Sequence, residues 1–355
     1  MQPFTHSAFA SRIVFARGAT AQIGDEVDRL GISAALVLAT PRQSQEAEGI
    51  LEQIGSRGVG TYLGATRHTP IEVTRDAVRV LQRLSADGVI SLGGGSTIGL
   101  GKAIAARTGV PQIVIPTTYA GSEVTAILGE TENGLKSTRS GPEILPETVI
   151  YDPARTDALP VALSVTSGLN AMAHAAEAIY ARDGSPLYTA IAVEALAALH
   201  KALPEIVKEP QNRAARDTAL YGAWLCGTVL AGVGMSIHHK ICHTLGGALD
   251  LPHAATHAVM LPHTIDYVEE VVPNALAPAA GVLGHRAGQA LYDFAGELGA
   301  PRSLRELGVL EGDLDRMVEL TIAIPYWAPR TIEAAGIREL LQCAWSGSRP
   351  GRSFS

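Results

Sequence analysis

Apolar and polar positions divide the chain into two textures. Over roughly the first 150 residues, short runs of aliphatic and β-branched side chains alternate with stretches of helical spacing. Residues 34–39 (AALVLA) predict a buried strand, followed by a polar helix over 43–56. A weaker strand signal at 60–63 precedes helical spacing over 70–85. GVISL at 88–92 is a further buried strand, 96–108 a helix and QIVIP at 112–116 a strand. Strands without polar alternation, separated by helices, imply a parallel sheet covered on both faces.

After Asp152-Pro153 the texture changes. Long Ala/Leu-rich helical stretches at 164–182, 187–202 and 212–233 are punctuated by Pro and Gly, and strand signals almost vanish. The fold expected is an N-terminal α/β domain with a Rossmann-like parallel sheet over 1–153 and an all-α domain over 154–355. A length of 355 residues agrees with two cores rather than one. No internal repeat or low-complexity tract interrupts the pattern.

Composition narrows the function classes. The chain carries 28 Lys+Arg against 35 Asp+Glu, a net charge of −7, with 46% apolar and 18% charged residues, which excludes a disordered or fibrous chain. The mild acidic excess argues against nucleic acid or an anionic membrane as partner. Cys226, Cys242 and Cys343 form no CxxC pair and are odd in number, as expected of free thiols in a reducing compartment. No apolar run reaches the roughly eighteen residues of a membrane span, and MQPFTHSAFASRIVF lacks the basic-then-apolar layout of a secretory signal. A cytoplasmic location is the expectation. The segment SGSRPGRSFS at 346–355 is expected to fray.

Two segments of the first domain carry chemistry. In VISLGGGSTIGLGK at 89–102 a strand ends, glycines follow and a helix starts. Glycines let backbone approach a phosphate, and a helix N-terminus offers unbonded N–H groups and a favourable dipole, as a dinucleotide pyrophosphate requires. The spacing is neither GxGxxG nor the Walker pattern, so a plain tight turn is the competing reading. The second segment, PTTYAGSE at 116–123, follows the next strand, where open α/β sheets bind ligands. Its small hydroxyl residues suit a nicotinamide amide or a ribose.

Histidines are distributed unevenly: six of the 11 fall between His238 and His263. SGLNAMAHAAEAIY at 167–180 places Asn170, His174 and Glu177 on one helical face. In IHHKICHTLGGALDLPHAATHAVMLPH at 237–263, His239 and His243 share a face and His253 follows Pro252. Asn170, His174, His239 and His253 are thus four ligand-type side chains able to converge. Three neutral imidazoles and an amide bring no negative charge to a divalent cation, and Lys240 adds a positive one. A metal-free pocket for an anion is the more economical reading, with His238, His257 and His263 as packing residues.

These motifs, together with VIYDP at 149–153 and PYWAPR at 325–330, run in order along nearly the whole chain. The chain resembles the iron-containing (group III) alcohol dehydrogenase family, most of all its maleylacetate reductase branch. The resemblance implies NADH or NADPH as cofactor, with Gly94, Gly95 and Ser96 at the pyrophosphate and Thr117, Thr118, Tyr119 and Ser122 beside the nicotinamide. Thr40, Pro41 and Arg42 stand where the family often has an Asp that reads the adenosine ribose, which leaves the choice between the two cofactors open. The family's metal ligands would be an Asp followed by His174, His239 and His253. Asn170 replaces that Asp, so no metal is expected. Ala328 stands where such reductases usually show Asn. The implied reaction is reduction of the carbon–carbon double bond of a small dicarboxylate, maleylacetate, to 3-oxoadipate during degradation of resorcinol-, hydroxyquinol- or chlorocatechol-type aromatic compounds. His243, with His253 or His239, would stabilise the enolate and deliver the proton, while Lys240 binds a carboxylate. Asn170, His174, Tyr326 and Arg330 would hold the other end, in a homodimer. The rivals are a metal-dependent alcohol dehydrogenase of the same family acting on a small aldehyde or alcohol, a lyase resembling dehydroquinate synthase, and a non-enzymatic binding module.

Overall fold

The computed structural model describes residues 4, 6, 11–132 and 135–351 and resolves into two compact units, Ala8–Leu159, and Pro160–Ser355 together with Met1–Ser7. The first is built on eight strands: β1 Arg12–Phe15, β2 Ala35–Leu38, β3 Gly58–Tyr62, β4 Gly88–Gly93, β5 Gln112–Pro116, β6 Ile127–Glu132, β7 Leu135–Ser140 and β8 Thr148–Tyr151. Six of them pair in parallel in the order β1-β8-β5-β4-β2-β3, and β6 and β7 form a separate antiparallel hairpin.

Helices α1 Ile23–Arg29, α2 Ser44–Ile54, α3 Ile71–Arg83 and α4 Gly95–Thr108 alternate with the strands. Consecutive residues of β2 show why its sequence lacks alternation. Val37 packs in a cluster with Ile23, Ile50 and Ile90, whereas Leu36 and Leu38 pack in another with Ala77, Leu81 and Ile104. Both faces of the sheet are therefore buried, and a period-2 signal has nothing to report. Strand order reverses between β2, which continues outward to β3, and β4, which continues to β5. Such a reversal leaves a crevice at the strands' C-terminal ends, where doubly wound sheets bind ligands. The Thr40-Pro41-Arg42 loop and the glycine turn open directly into it.

Several first-unit elements were not legible as strands or helices. Among the described residues β1 is an edge strand paired only with β8. The hairpin ILGETE and LKSTRS alternates polar residues without an apolar run. Its pairing partner, not its composition, makes it a strand.

The second unit is helical: α5 Val161–Ile179, α6 Pro186–Lys208, α7 Arg213–Gly232, α8 Ile237–Leu249, α9 His253–Glu269, α10 Pro273–Leu283, α11 Ala287–Glu297, α12 Leu314–Ile322 and α13 Ala334–Ser346. α5 is buried along nearly its whole length after Leu163, from Ser164 to Ile179. A Cβ on Gly222 of α7 would sit 2.9 Å from Leu199 of α6, so only glycine allows these two helices to approach so closely. Among the described residues, no single helix is long and apolar enough to cross a membrane; only the bent pair α7 and α8, at 97°, meets the length and composition requirement jointly. The three cysteines form no disulfide.

The expected frayed C-terminus is corrected by the structure. Arg349 pairs with Asp293 at 2.6 Å and the Gly351 amide donates to Asp266 at 2.9 Å, which ties the segment down through residue 351. Residues 352–355 of that segment lie outside the described residues.

Candidate active site

In the α/β unit, the glycine turn is shaped by its neighbours. Gly93 has φ of +155°, and a Cβ there would lie 2.5 Å from Thr97 Oγ1 and 3.1 Å from Gln43 Oε1. A Cβ on Gly94 would meet Thr118 Oγ1 at 2.8 Å, whereas one on Gly95 would meet nothing within 4 Å. Two glycines are thus demanded by packing, and the third leaves open space at the start of α4. That helix has no side-chain cap, so its first N–H groups remain available to an anion.

Around this turn the predicted cofactor residues separate. Thr117 and Thr118 border it: the Thr117 amide donates to Gly93 at 3.0 Å, and Thr118 packs over Gly94. Thr40 and Arg42 lie in the loop after β2, with Arg42 exposed. Tyr119 is fully buried, so its ring belongs to the core rather than to a ligand surface. Ser122 presents its carbonyl oxygen to Lys102. Sequence reasoning missed Gln43. Its side chain meets Thr40 Oγ1 at 3.0 Å and donates to Thr117 Oγ1 at 3.2 Å, bridging the loops after β2 and β5 across the crevice.

In the helical unit, α5, α8 and α9 bring the histidines together. His174 stacks on His239 with ring centroids 5.0 Å apart. His239 lies 5.9 Å from His243, which lies 6.2 Å from His253, and His253 lies 4.3 Å from His257. Asn170, His174 and His239 are buried, while His243 and His253 are exposed, giving a floor and an open rim. Burial, then the neighbouring imidazoles His239, His253 and His243, push the His174 pKa well below 6.5. The same causes, burial first, hold His238 and His257 well below it. His174, His238 and His257 are therefore neutral near pH 7.

Hydrogen bonds fix several tautomers. His239 Nδ1 lies 2.5 Å from Glu177 Oε2, so its proton is committed there and Nε2 is left as a bare lone pair. Glu177 also accepts from the His238 amide at 2.8 Å, the Ser236 amide at 3.2 Å and the Tyr180 hydroxyl at 3.1 Å. A second chain starts at Thr264, whose hydroxyl lies 3.0 Å from the Met260 carbonyl and must donate to it. Thr264 then accepts from His238 Nδ1 at 2.9 Å, and His238 Nε2 accepts from His257 Nδ1 at 2.9 Å. His257 Nε2 is left bare. Among the described residues Asn170 Oδ1, His174 Nδ1, His239 Nε2 and His257 Nε2 are all buried without a partner.

The remaining predicted residues divide. Lys240 Nζ lies 5.6 Å from the centroid of the Tyr326 ring, whose hydroxyl is buried and unpartnered. Ser236 donates to the Trp327 carbonyl at 3.1 Å, holding that loop on α8. Arg330 is engaged elsewhere: it pairs with Glu270 at 2.6 Å and stacks over Tyr267 at 4.3 Å. Its charge is spent on fastening the loop to α9. His263 is packed in the core and pushed down to about 3 by burial, in keeping with a structural role. Glu177 was visible from its spacing after Asn170 and His174, but only the fold shows that it orients His239.

Comparison with known proteins gives a consistent identity. The iron-containing alcohol dehydrogenase model matches residues 10–153, and the C-terminal model of the Fe-containing alcohol dehydrogenase family matches 164–345. Maleylacetate reductase of Rhizobium sp. (strain MTP-10005) is 61% identical, covering 99% of this chain and 100% of that protein. Maleylacetate reductase of Burkholderia cepacia is 47% identical over 99% and 100% respectively. The crystal structure of maleylacetate reductase from Agrobacterium tumefaciens superposes with a TM-score of 0.96 at 61% identity, covering 99% of this chain and 100% of that one. The chain belongs to the iron-containing alcohol dehydrogenase family and is an oxidoreductase. Its parallel sheet followed by a helical unit is the fold expected from the sequence.

The family name implies a metal ion, and the donor set can be tested against it. Lone pairs are present on Asn170, His174 and His239, but every one belongs to a neutral group. The nearest carboxylate, Glu177, faces away and is saturated by four donors. A divalent ion giving up its hydration would receive no anionic ligand in return, so the set does not fit on charge. His238, Cys242 and His257 also bring ligand atoms within 4.8 Å of one another. Both ring nitrogens of His238 are already hydrogen-bonded there, to Thr264 and His257.

Proposed function

We propose that this oxidoreductase uses NADH or NADPH to reduce maleylacetate to 3-oxoadipate without a metal ion, as a cytoplasmic homodimer serving aromatic-compound degradation. The 61% identity to a maleylacetate reductase over 99% of the chain supports the substrate. The observation that carries the metal-free form is Asn170, an amide at the floor of an imidazole cluster that contains no free carboxylate.

The chemistry sets what the residues must do. A bound NADH or NADPH would supply a hydride to the alkene carbon β to the ketone. The ketone oxygen then carries enolate charge until a proton reaches the α carbon, so one hydride and one proton saturate the bond. Hydrogen-bond donors aimed at that oxygen lower the barrier. His239 is a poor donor in its neutral form, because its one proton faces Glu177. That leaves His243 and His253, on the open rim, as enolate donor and proton source. Lys240 offers a point charge to one carboxylate. Asn170, through its amide N–H, and Tyr326, through its unpartnered hydroxyl, hold the other end.

The decisive experiment is NADH and NADPH oxidation by the purified enzyme with maleylacetate against simple aldehydes, alongside metal analysis. Turnover of maleylacetate by metal-free enzyme, unaffected by chelator, is expected. Stoichiometric iron with chelator-sensitive aldehyde reduction would replace this reading with that of a metal-dependent dehydrogenase, which the bare lone pairs favour. Calorimetry supplies a second measurement. A dianion lodged against neutral imidazoles recruits protons, so 3-oxoadipate binding should take up about one proton near pH 7. Binding with no net uptake, compared across buffers of different ionisation enthalpy, contradicts the imidazole pocket.

A further inference from the structure

Lys102 lies on the third turn of α4, the helix that begins at the glycine turn, and it is 1% exposed. Its ammonium reaches the Ser122 carbonyl at 2.5 Å, the Thr125 carbonyl at 2.7 Å, Thr125 Oγ1 at 2.9 Å and the Ile127 carbonyl at 3.0 Å. Three N–H bonds thus serve four acceptors, all within 122–127. That segment continues directly from the Thr117-Thr118 loop. No acidic side chain pairs with the ammonium within the distance of an ion pair among the described residues. Its nearest charge relation is the long-range attraction of the fully buried Glu123, whose own carboxyl accepts from Tyr151 at 2.9 Å and keeps Oε2 unpartnered. Burial holds the Lys102 pKa down to about 7, so charging this amine costs stability that the four acceptors must offset.

Ordinary packing does not require such a group. A methionine fills the same length without the desolvation cost. What an ammonium adds is a fixed distance between α4 and the segment that runs from the short 3-10 turn Ser122–Val124 into β6 at Ile127.

We propose that Lys102 is a positioning residue for the cofactor: it locks the loop bearing Thr117 and Thr118 to the helix whose N-terminus receives the pyrophosphate. The two halves of the cofactor site are then held in one geometry before the dinucleotide arrives, and binding does not have to order the loop. This rests on the glycine turn and the Thr117-Thr118 loop being the cofactor site.

Steady-state kinetics and direct NADH binding on the full-length enzyme test it. Lys102→Met should raise Kd and KM for NADH by about tenfold, the scale of a lost charged hydrogen-bond set that positions rather than contacts the ligand. The maleylacetate KM and the kcat at saturating NADH should stay within about twofold, a split that general loosening of the fold would not produce. Should Lys102→Met fail to fold, Thr125→Val removes one acceptor while keeping its shape. It should raise the NADH Kd about two- to threefold at an unchanged melting temperature. A folded Lys102→Met, or a Thr125→Val, with unaltered NADH affinity overturns the proposal. Gly95→Asp separates the two levels, since it sets a carboxylate in the open space at the start of α4. If Gly95→Asp leaves NADH affinity unchanged, the cofactor site itself is misassigned. Loss of affinity in Gly95→Asp but not in the Lys102 and Thr125 variants removes the clamp alone.

Discussion

Each of the two units buries a carboxylate deep in its interior, and the pair shows how a scaffold differs from a site. Asp152, at the end of the α/β unit, accepts from the Gly18 amide at 2.8 Å, the Thr20 amide at 3.1 Å, the Thr20 hydroxyl at 2.6 Å and the Ala154 amide at 3.0 Å. Burial works against its ionisation, but these donors outweigh it and hold its pKa below the usual value. Glu177 in the helical unit also has four donors, yet one of them is an imidazole whose opposite nitrogen is bare and buried. Asp152 closes its network on backbone and a structural hydroxyl. Glu177 passes the constraint on, into a cluster left unsatisfied. A fully satisfied polar network stabilises, whereas one that ends on open lone pairs waits for a ligand.

The largest effects should come from the rim of that cluster. His243→Ala and His253→Ala each remove a donor to the enolate and should lower kcat about 10²- to 10³-fold while the protein stays folded. The double variant should lose no more than the worse single one if both serve one proton. Two additive losses, measured by single-turnover NADH oxidation, would separate enolate stabilisation from proton delivery.

A smaller effect distinguishes the two carboxylates directly. Glu177→Gln puts an amide where four donors converge and frees the His239 tautomer at the floor of the cluster, so kcat should fall about 10- to 100-fold, as for other residues that orient an active-site imidazole. Asp152→Asn should cost on the order of 3 kcal/mol in unfolding free energy and leave kcat per folded molecule unchanged. If the turnover penalties come out reversed, the distinction between site and scaffold collapses.

The sequence already located much of this. Runs such as AALVLA, without alternation, are what a sheet buried on both faces must look like, and the α/β order follows from them. The i, i+4 spacing of Asn170 with His174, and of His239 with His243, set each pair on one helical face, while the packing of α5, α8 and α9 brings those faces together. What stayed hidden depends on partners distant in sequence. Gln43 is an unremarkable helix-start residue until Thr117, 74 positions away, is placed beside it. Arg330 reads as a substrate ligand until Glu270 neutralises it. Tyr119 sits in a motif rich in ligand-type residues, yet the fold turns it inward. The tautomers of His239 and His257 are decided by Glu177 and Thr264, which no spacing rule connects to them.

The smallest effect separates the two units by acid. His174, His238, His257 and His263 are all buried in the helical unit with pKa values driven down by burial, His263 to about 3. Unfolding returns them to about 6.5, where they take up protons, so the folded state gains this contribution only above that pH. As pH falls below 6.5 through the folded values, stability should drop by up to about 1.4 kcal/mol per pH unit for each such histidine. The α/β unit has no comparable set of buried histidines among the described residues, and Asp152, whose folded pKa is depressed, loses its contribution only as pH falls through the carboxylate range. Denaturant unfolding followed between pH 7 and 4.5 by hydrogen exchange should therefore show α5, α8 and α9 losing protection before the parallel sheet. His263→Leu should flatten the slope by about one proton, because His263 Nε2 has no partner to lose. A sheet that loses protection at the same pH as the helices would mean that the buried imidazoles are not what makes the molecule sensitive to acid.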